Sequence, residues 1–302
     1  MSFKCVVIIC TLWIFNIKAT VNPQLYARSE VIEHRIEQLC ENIDYFECKH
    51  ENDLLWLHIT GYMATTVVTL ESDLIVFGEH ARELISSTLG VSWIERLAQT
   101  QPPYNLVIIP IANEMRNDVI DGDECIRKNS NGIDLNRNAK LAFFDKAGRY
   151  SQFSEEFAGI TPLSEAEPKF IDKLAEHLPI RYFINVHSGE FAMYCSPDGS
   201  KTETFATQGE HIQRLKKLAN VYCKECVVGS AAKKSNYLAH GTNADNLFFN
   251  RHVAAAFTFE VYGTMIDSDG CYKAFNPLSN KRLLYEIDRW INILNAIIYN
   301  TF

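Results

Sequence analysis

The sequence of 302 residues has no apolar run long enough to cross a bilayer as a helix, which takes roughly 20 apolar residues. One shorter run, Cys5 to Ile17, follows the basic start Met1 to Lys4, and Ala19 offers a small residue at a cleavage point. This pattern predicts a secretory signal peptide over residues 1–19, with an uncleaved membrane anchor as the alternative. We therefore expect a secreted or secretory-lumen protein without a membrane span.

The sequence also lacks an excess of positive charge. It has 29 Lys and Arg against 37 Asp and Glu, which gives a net charge of −8. Basic and aromatic residues do not interleave along any stripe, so we expect no nucleic-acid partner. No Gly-x-Ser-x-Gly motif occurs, which argues against a hydrolase built on a serine nucleophile. No sequence pattern indicates assembly, and we expect a monomer.

Cysteine is sparse, with nine residues, of which seven lie outside the predicted leader. A secretory route allows disulfides, and an odd number leaves at least one thiol free or bonded to another chain. Cys223 and Cys226 have Cys-x-x-Cys spacing but no second pair at zinc-ribbon distance. This spacing favours a structural role over metal binding or redox chemistry, and it leaves the pairing open.

Short apolar runs of strand length alternate with segments of helical periodicity. The predicted strands cover residues 54–59, 74–77, 106–111, 181–186 and 254–261. The predicted helices cover residues 30–40, 82–98, 165–178, 211–226 and 281–298. This alternation is typical of an α/β fold with a mostly parallel sheet between two layers of helices.

Residues 113–164 have little periodicity and are rich in Asp, Asn, Gly and Ser, which predicts long surface loops. Ser164 and Glu167 have the spacing of a capping box at the start of the next helix. We find no internal repeat or linker, so residues 20–302 are expected to form a single domain.

His80 and Glu83 follow an apolar strand and open a predicted helix, so both can face one point on the first turn. Alone, this spacing fits a surface His beside a capping acid equally well. His187 ends another predicted strand, and ligands in open α/β sheets bind beyond the carboxyl ends of strands. Two imidazoles and a carboxylate with an open fourth position are typical of a catalytic zinc site. The pattern therefore predicts one zinc ion per chain.

Glu260 interrupts the apolar run Ala254 to Val261. A buried carboxylate is unfavourable unless it is paired or lies near a metal ion. Beside zinc, it can take a proton from water and pass it to a leaving amine. The alternative is a solvated Glu at a strand end.

The polar segment Cys125 to Asn138 contains Arg127, Asn136 and Arg137. Arg binds a carboxylate through two parallel hydrogen bonds, and an Asn amide adds a donor. Such a set suits the terminal carboxylate of a peptide, and it also offers a cation for an oxyanion. The alternative is a solvated basic loop.

Together and in this order, these motifs resemble the zinc metallocarboxypeptidase family of pancreatic carboxypeptidases. They are His-x-x-Glu, Gly-Ile-Asp-Leu-Asn-Arg-Asn, His-Ser-Gly at a strand end and Phe-Thr-Phe-Glu, within about residues 50 to 300. The segments Gly159 to Glu165, Tyr237 to Thr242 and Phe257 to Gly263 are most similar to secreted plant-type members. The resemblance implies a mixed, mostly parallel, eight-stranded twisted sheet sandwiched between helices.

The resemblance also implies the roles of the residues at the metal. His80, Glu83 and His187 would bind zinc. Glu260 would act as general base and acid, and Arg127 would stabilise the oxyanion.

The remaining matched residues would bind substrate. Asn136 and Arg137 would grip the substrate carboxylate. Tyr237 would close over it, and Arg82 would lie on the path by which it approaches. The expected partners are therefore the C-termini of peptides and proteins.

Asp245 lies 15 residues before Glu260, where members that remove Lys and Arg have an acidic pocket floor. A buried Asp would attract a cationic side chain there. However, Tyr237 lies 23 residues before Glu260, which is one more than in the pancreatic enzymes. If the insertion follows Asp245, the floor would be Ala244 or Asn243, and apolar C-terminal residues would be preferred.

The spacing before His80 leaves no room for the inhibitory prodomain of pancreatic members, and that after Glu260 leaves none for a β-sandwich. We therefore expect a bare catalytic domain. One alternative is a non-catalytic binding protein on the same fold, which would have lost Glu260 or a zinc ligand. A glutamate-trimming enzyme would need a basic pocket floor in place of Asp245. A cell-wall peptidase would not need the clamp of Asn136 and Arg137.

Overall fold

The computed structural model describes residues 25–65, 71–140, 150–202, 206–235, 237–264 and 270–301. The predicted leader, residues 1–19, lies outside them. Across the described ranges, no helix combines the length and the apolarity that crossing a membrane requires.

Eight strands form one sheet in the order β1-β2-β4-β3-β5-β8-β6-β7. The strands are β1 (Phe46–Glu51), β2 (Leu54–Ile59), β3 (Ser72–Phe77), β4 (Asn105–Ile109), β5 (Ile180–His187), β6 (Glu190–Cys195), β7 (Val227–Ser230) and β8 (Ala255–Tyr262). The central strands β4, β3, β5 and β8 are parallel to one another. Antiparallel pairs join β1 to β2, β2 to β4 and β6 to β8. The predicted mixed, mostly parallel sheet is confirmed.

Helices cover both faces of this sheet. They are α1 (Ser29–Asn42), α2 (Leu84–Leu97), α3 (Arg116–Ile120), α4 (Ala166–His177), α5 (Ala206–Tyr222), α6 (Ala231–Lys234), α7 (Asn243–Asn250), α8 (Cys271–Phe275) and α9 (Asn280–Ile298), with 3-10 turns at Tyr62–Thr65 and Leu135–Arg137. One apolar core lies beneath α1, α2, α5 and α9, and a second lies beneath α4 and α7. Every residue of β3 and β4 is buried, as expected for strands covered on both faces.

The apolar core holds the site strand β8 in place from below. Trp290 of α9 is fully buried, lies 5.7 Å from the Phe259 ring centroid and donates from Nε1 to the Val261 carbonyl at 2.8 Å. Phe259 and Val261 flank Glu260 in the sequence and point into this core. Alternation along the strand therefore directs Glu260 to the opposite side.

The structure corrects several helix predictions. The helix predicted from residue 82 begins only at Leu84, and the helix predicted over 211–226 spans Ala206–Tyr222. The predicted capping box is not formed. Glu165 is the N-cap of α4 without a side-chain cap bond, and the Ser164 hydroxyl donates to the Glu165 carboxylate at 2.7 Å. That carboxylate instead accepts from Asn129 and stabilises the preceding loop.

The prediction that residues 113–164 form surface loops is wrong for part of the segment. Asp134, Asn136, Arg137 and Asn138 are almost inaccessible. Internal hydrogen bonds compensate their burial; for example, the Asn138 amide donates to the Ala158 and Thr161 carbonyls at 2.8 and 3.1 Å. The polar composition of this segment predicted solvent exposure. In the structure, these polar side chains are buried and hydrogen-bonded to one another and to the backbone instead.

Among the described residues, six cysteines form three disulfides, and Cys195 is buried with a free thiol. The disulfides are Cys40–Cys48, Cys125–Cys271 and Cys223–Cys226. The prediction of an unpaired thiol is confirmed. Cys223 and Cys226 are bonded to each other, which agrees with a structural role. The Cys125–Cys271 bond ties the polar loop before Arg127 to the start of α8.

Candidate active site

The carboxyl ends of β3, β5 and β8 meet at one edge of the sheet. His80 follows β3, and His187 is the last residue of β5 and pairs in register with Glu260 of β8. With Glu83, these residues line a cavity of about 260 Å³. The fold therefore brings together four residues that the sequence predicted to act together.

A tight turn after β3 positions His80 and Glu83. Gly78 has a φ of +66°, and a Cβ there would lie 2.2 Å from the Ser87 hydroxyl oxygen, so only glycine fits. The Glu83 amide donates to the His80 carbonyl at 3.1 Å and closes the turn. Both residues precede α2, which corrects the prediction that they lie on the first helical turn. They nevertheless face one point.

The two imidazoles turn their Nδ1 atoms toward each other and toward Glu83. The Nδ1 atoms of His80 and His187 are 3.1 Å apart. The Glu83 Oε1 atom lies 2.7 Å from Nδ1 of His80, and its Oε2 atom lies 3.1 Å from Nδ1 of His187. All three side chains are buried. Although burial alone would raise the pKa of Glu83, the two histidines hold it well below its usual value.

Two acidic residues that sequence reasoning missed hold the outer nitrogens of the histidines. Nε2 of His80 lies 3.2 Å from Asp134 Oδ1, and Nε2 of His187 lies 3.3 Å from Glu79 Oε2. Such outer partners fix the orientation of ligating histidines. Asp134 lies within the motif Gly-Ile-Asp-Leu-Asn-Arg-Asn, and Glu79 directly precedes His80. An acidic residue in or next to each motif was therefore the sequence signal that could have identified these two partners.

Glu79 offers a second grouping of ligand atoms, because its carboxylate and the rings of His80 and His187 have ligand atoms within 4.8 Å of one another. However, Glu79 Oε2 accepts from the Asn185 amide at 2.6 Å, and Oε1 accepts from the Asn243 amide. A carboxylate bound on both oxygens favours an orienting role. Glu83, whose oxygens face both Nδ1 atoms, has the geometry of the third ligand.

Glu260 points into the cavity beside these groups. Its Oε2 atom is inaccessible and has no hydrogen-bond partner among the described residues. Burial raises its pKa to about 8, although the charge of His187 opposes this shift. A divalent cation at the neighbouring ligands would favour the carboxylate and lower the pKa. An unpartnered carboxylate at this position has the freedom to exchange a proton.

Arg127 lies against the metal candidates. It donates from Nε to Asp134 Oδ2 at 2.9 Å, and its NH1 atom is 3.3 Å from Nδ1 of His80. Burial alone would raise the pKa of Asp134, but the charges of Arg127 and Arg137 hold it well below its usual value. Asp134 thus orients both a candidate ligand and the nearest cation.

Arg137 and Asn136 line the same cavity from the 3-10 turn. Arg137 donates from NH1 to the Asn136 carbonyl at 2.8 Å, while its Nε atom has no hydrogen-bond partner among the residues that the structure describes. The Asn136 amide nitrogen lies 3.3 Å from Nε2 of His187. Tyr237 is half exposed, and its ring centroid is 6.0 Å from the Arg137 guanidinium carbon. The structure therefore gathers all three residues predicted to bind a carboxylate.

Arg82 lines the cavity mouth. Its guanidinium carbon lies 4.4 Å above the centroid of Phe275, and its NH1 atom is 2.8 Å from Glu155 Oε2. This location agrees with a cation on the path into the cavity.

The structure corrects the predicted position of Asp245. Asp245 is fully buried and does not line the cavity. Its carboxylate accepts from the backbone amides of Asp198 and Gly199 at 2.8 and 2.9 Å. Asp198 lines the cavity instead. Its Oδ2 atom accepts from the Thr242 hydroxyl at 2.8 Å, whereas its Oδ1 atom is inaccessible and has no hydrogen-bond partner within the described part of the chain. Of these two aspartates, Asp198 is the one that lines the cavity, and Asp245 binds the backbone amides of Asp198 and Gly199.

The comparison with known families agrees with this arrangement. Residues 50–280 match the family model described as zinc carboxypeptidase. The chain belongs to the zinc carboxypeptidase family. The predicted family resemblance is confirmed, while the similarity to plant-type members stays a prediction. A search of curated proteins finds no match for this chain.

Solved structures show the same fold at low identity. Bovine thrombin-activatable fibrinolysis inhibitor, in a complex with tick carboxypeptidase inhibitor, is 21% identical with a TM-score of 0.76, covering 91% of this chain and 97% of its own. Carboxypeptidase A from Helicoverpa armigera is 17% identical with a TM-score of 0.76, covering 91% and 73%. Murein-tripeptide amidase from Escherichia coli O157 is 17% identical with a TM-score of 0.52, covering 84% and 90%. At these identities the similarity establishes the fold.

Zinc is the cofactor of this family, and the donor set of this chain fits it. Two ligands on one zinc ion lie about 3.3 Å apart when each bond is about 2.0 Å and the geometry is tetrahedral. The facing atoms of His80, Glu83 and His187 are 2.7 to 3.1 Å apart. Although burial opposes it, the carboxylates of Glu83 and Glu79 raise the pKa of His187 to about 10. The pocket thus carries the negative charge that a cation would balance.

Proposed function

We propose that this chain is a secreted carboxypeptidase that removes the C-terminal residue of peptides, with zinc held by His80, Glu83 and His187. One observation carries this proposal: an unpartnered Glu260 carboxylate and three arginines share one cavity with the three candidate ligands. A carboxylate for proton transfer and cations for a free C-terminus are the groups that exopeptidase chemistry needs. Three disulfides among the described residues support the secretory route.

The residues would divide the reaction among them. Arg137, with Asn136, binds the terminal carboxylate and sets the register of the scissile bond. Arg127 faces the oxygen that becomes negative and stabilises it. Glu260 takes a proton from the attacking water and gives it to the leaving amine nitrogen. Zinc, when bound, supplies Lewis acidity to the carbonyl and lowers the pKa of water.

Removal of metal tests the function as a whole. Treatment with a strong zinc chelator is expected to abolish release of C-terminal residues, and addition of zinc at one equivalent is expected to restore it. Release is measured as free amino acid from a short peptide. Metal analysis of the treated protein confirms that zinc has been removed. If such a zinc-free protein still releases C-terminal residues, the proposed function is contradicted.

We further propose a preference for C-terminal Lys or Arg, with Asp198 in the role predicted for Asp245. Small side chains, such as Ala231 and Ala239, line the cavity near Asp198 and leave room for a long side chain. An apolar side chain there would leave the Asp198 carboxylate buried without a counter-charge. The alternative given by the sequence is a preference for apolar C-terminal residues, and the buried carboxylate of Asp198 argues against it.

The variant Asp198→Asn is expected to lower kcat/KM for a peptide ending in Arg by about 100-fold or more, because breaking a buried ion pair costs about 3–5 kcal/mol. The same peptide ending in Phe is the control and should react no more slowly than with wild type. Burial raises the pKa of Asp198 to about 6, so the Arg preference of wild type should grow as the pH rises through about 6. An Arg-to-Phe ratio unchanged by the variant would contradict the assignment.

A further inference from the structure

The loop of residues 151–157 places two adjacent acidic side chains beside the cavity. Two hydrogen bonds anchor the backbone of this loop to the polar segment Cys125 to Asn138. Lys128 donates from Nζ to the Ser154 carbonyl at 3.0 Å, and the Asp134 amide donates to the Phe157 carbonyl at 2.8 Å. The Ser154 hydroxyl also accepts from the Glu156 amide at 3.1 Å. The backbone that carries Glu155 and Glu156 is therefore held in position beside the cavity.

Each of the two carboxylates contacts an arginine of the cavity. Glu156 Oε1 lies 3.3 Å from NH2 of Arg137, and Glu155 Oε2 lies 2.8 Å from NH1 of Arg82. Their environments differ, because Glu156 is 25% exposed and Glu155 is 60% exposed. The more buried ion pair is thus the one at the proposed carboxylate clamp.

The contact occupies part of the Arg137 guanidinium. NH1 already donates to the Asn136 carbonyl, and NH2 faces Glu156. A carboxylate bound through two parallel hydrogen bonds needs donors on two guanidinium nitrogens. Either way of making two parallel hydrogen bonds uses the NH2 nitrogen, so a substrate carboxylate must bind at the same nitrogen as Glu156 and beside its negative charge.

We infer that Glu156 is an intrinsic competitor for Arg137 that weakens the binding of free C-termini and so sets the KM of the enzyme. This inference rests on the proposed function, in which Arg137 binds the terminal carboxylate. Glu156 has the same charge as the terminal carboxylate and contacts the same arginine, Arg137. Unlike the substrate, it remains in place after product release. Its expected effect is on the affinity for products and substrates with a free carboxylate, with little change in kcat.

Binding of free arginine and of argininamide to the zinc-loaded protein tests this inference by calorimetry. The two probes share a side chain, and only arginine has the carboxylate. In Glu156→Gln, arginine should bind about two- to fivefold more tightly, which is what the loss of a partly exposed ion pair is worth, and argininamide should be unchanged. Glu155→Gln is the matched control, with the same chemical change one residue away, and should alter both affinities by less than about twofold.

Steady-state kinetics gives the second readout, in which Glu156→Gln should lower KM for a peptide acid by the same factor at constant kcat. Unchanged or weaker arginine binding in Glu156→Gln would overturn the inference, and weaker binding would make Glu156 a positioning residue for Arg137. Failure of the proposed function looks different. Wild type would then release no C-terminal residue, and Arg137→Ala would leave the preference for arginine over argininamide unchanged.

Discussion

Glu260→Gln is expected to lower kcat by about 10²- to 10⁴-fold, the range that a positioned proton acceptor contributes. Glutamine has the same shape but cannot accept the proton that the attacking water must lose. The Glu260 Oε2 atom has no hydrogen-bond partner among the described residues, so the exchange removes no contact that supports the fold. KM should change little, because the proposed substrate contacts lie on Arg137 and Asn136.

The measurement is kcat on a peptide acid, with zinc content determined on the same preparation. Glu190→Gln is the matched control, since Glu190 lines the same cavity and its carboxylate accepts from the Tyr194 hydroxyl at 3.0 Å. We expect that control to retain activity within about tenfold, as for a residue outside proton transfer. Near-wild-type turnover by Glu260→Gln with zinc bound would falsify the assigned base.

Glu83→Gln and Glu79→Gln are expected to separate the third zinc ligand from an orienting residue. Glu83 faces both Nδ1 atoms, so its amide variant should lose nearly all bound zinc and with it the activity. Glu79 bonds the outer nitrogen of His187, so its variant should keep one zinc ion with an affinity lowered by about 10- to 100-fold.

Zinc affinity is measured by competition with a chelator of known strength, and folding of both variants is followed by thermal denaturation. Wild type and Glu79→Gln should each bind one equivalent of zinc at saturation. The reverse result, with Glu83→Gln retaining zinc and Glu79→Gln losing it, would make Glu79 the ligand in place of Glu83.

The central strands and the metal motifs were predictable because burial and chemistry both leave local marks. β3 and β4 are covered on both faces, so they appear as continuous apolar runs. His80, His187 and Glu260 each stand at or next to the end of such a run. The parallel arrangement of β3, β5 and β8 then brings these ends together without further information.

The missed strands are those whose sequence has no such mark. The edge strand β1 is only partly buried and alternates charged with apolar residues, while β7 has four residues. β6 is the exception, because it begins at an exposed Glu190 but is buried from Ala192 to Cys195, and its residues from Phe191 onward form an apolar run that the sequence analysis passed over. Short or one-sided strands gain their stability from neighbours, which a local pattern does not record.

The choice between Asp198 and Asp245 depended on contacts across 46 to 47 residues. Both acids are buried, and spacing from Glu260 pointed to Asp245. Only the fold shows that both oxygens of the Asp245 carboxylate are hydrogen-bonded to backbone amides. It also shows that Asp198 lines the cavity. Glu156 went unnoticed for the same reason, because its partner Arg137 is reached through a loop without periodicity.

Mass spectrometry of matched peptides tests whether this chain removes single residues from a free C-terminus. Peptides ending in Arg and in Phe, each as free acid and as C-terminal amide, are incubated with the zinc-loaded protein. We expect the free acids to lose single residues from the C-terminus, Arg faster than Phe, while the amides stay intact over the same time. Internal cleavage, equal trimming of acids and amides, or no trimming by a protein with one bound zinc ion would contradict it.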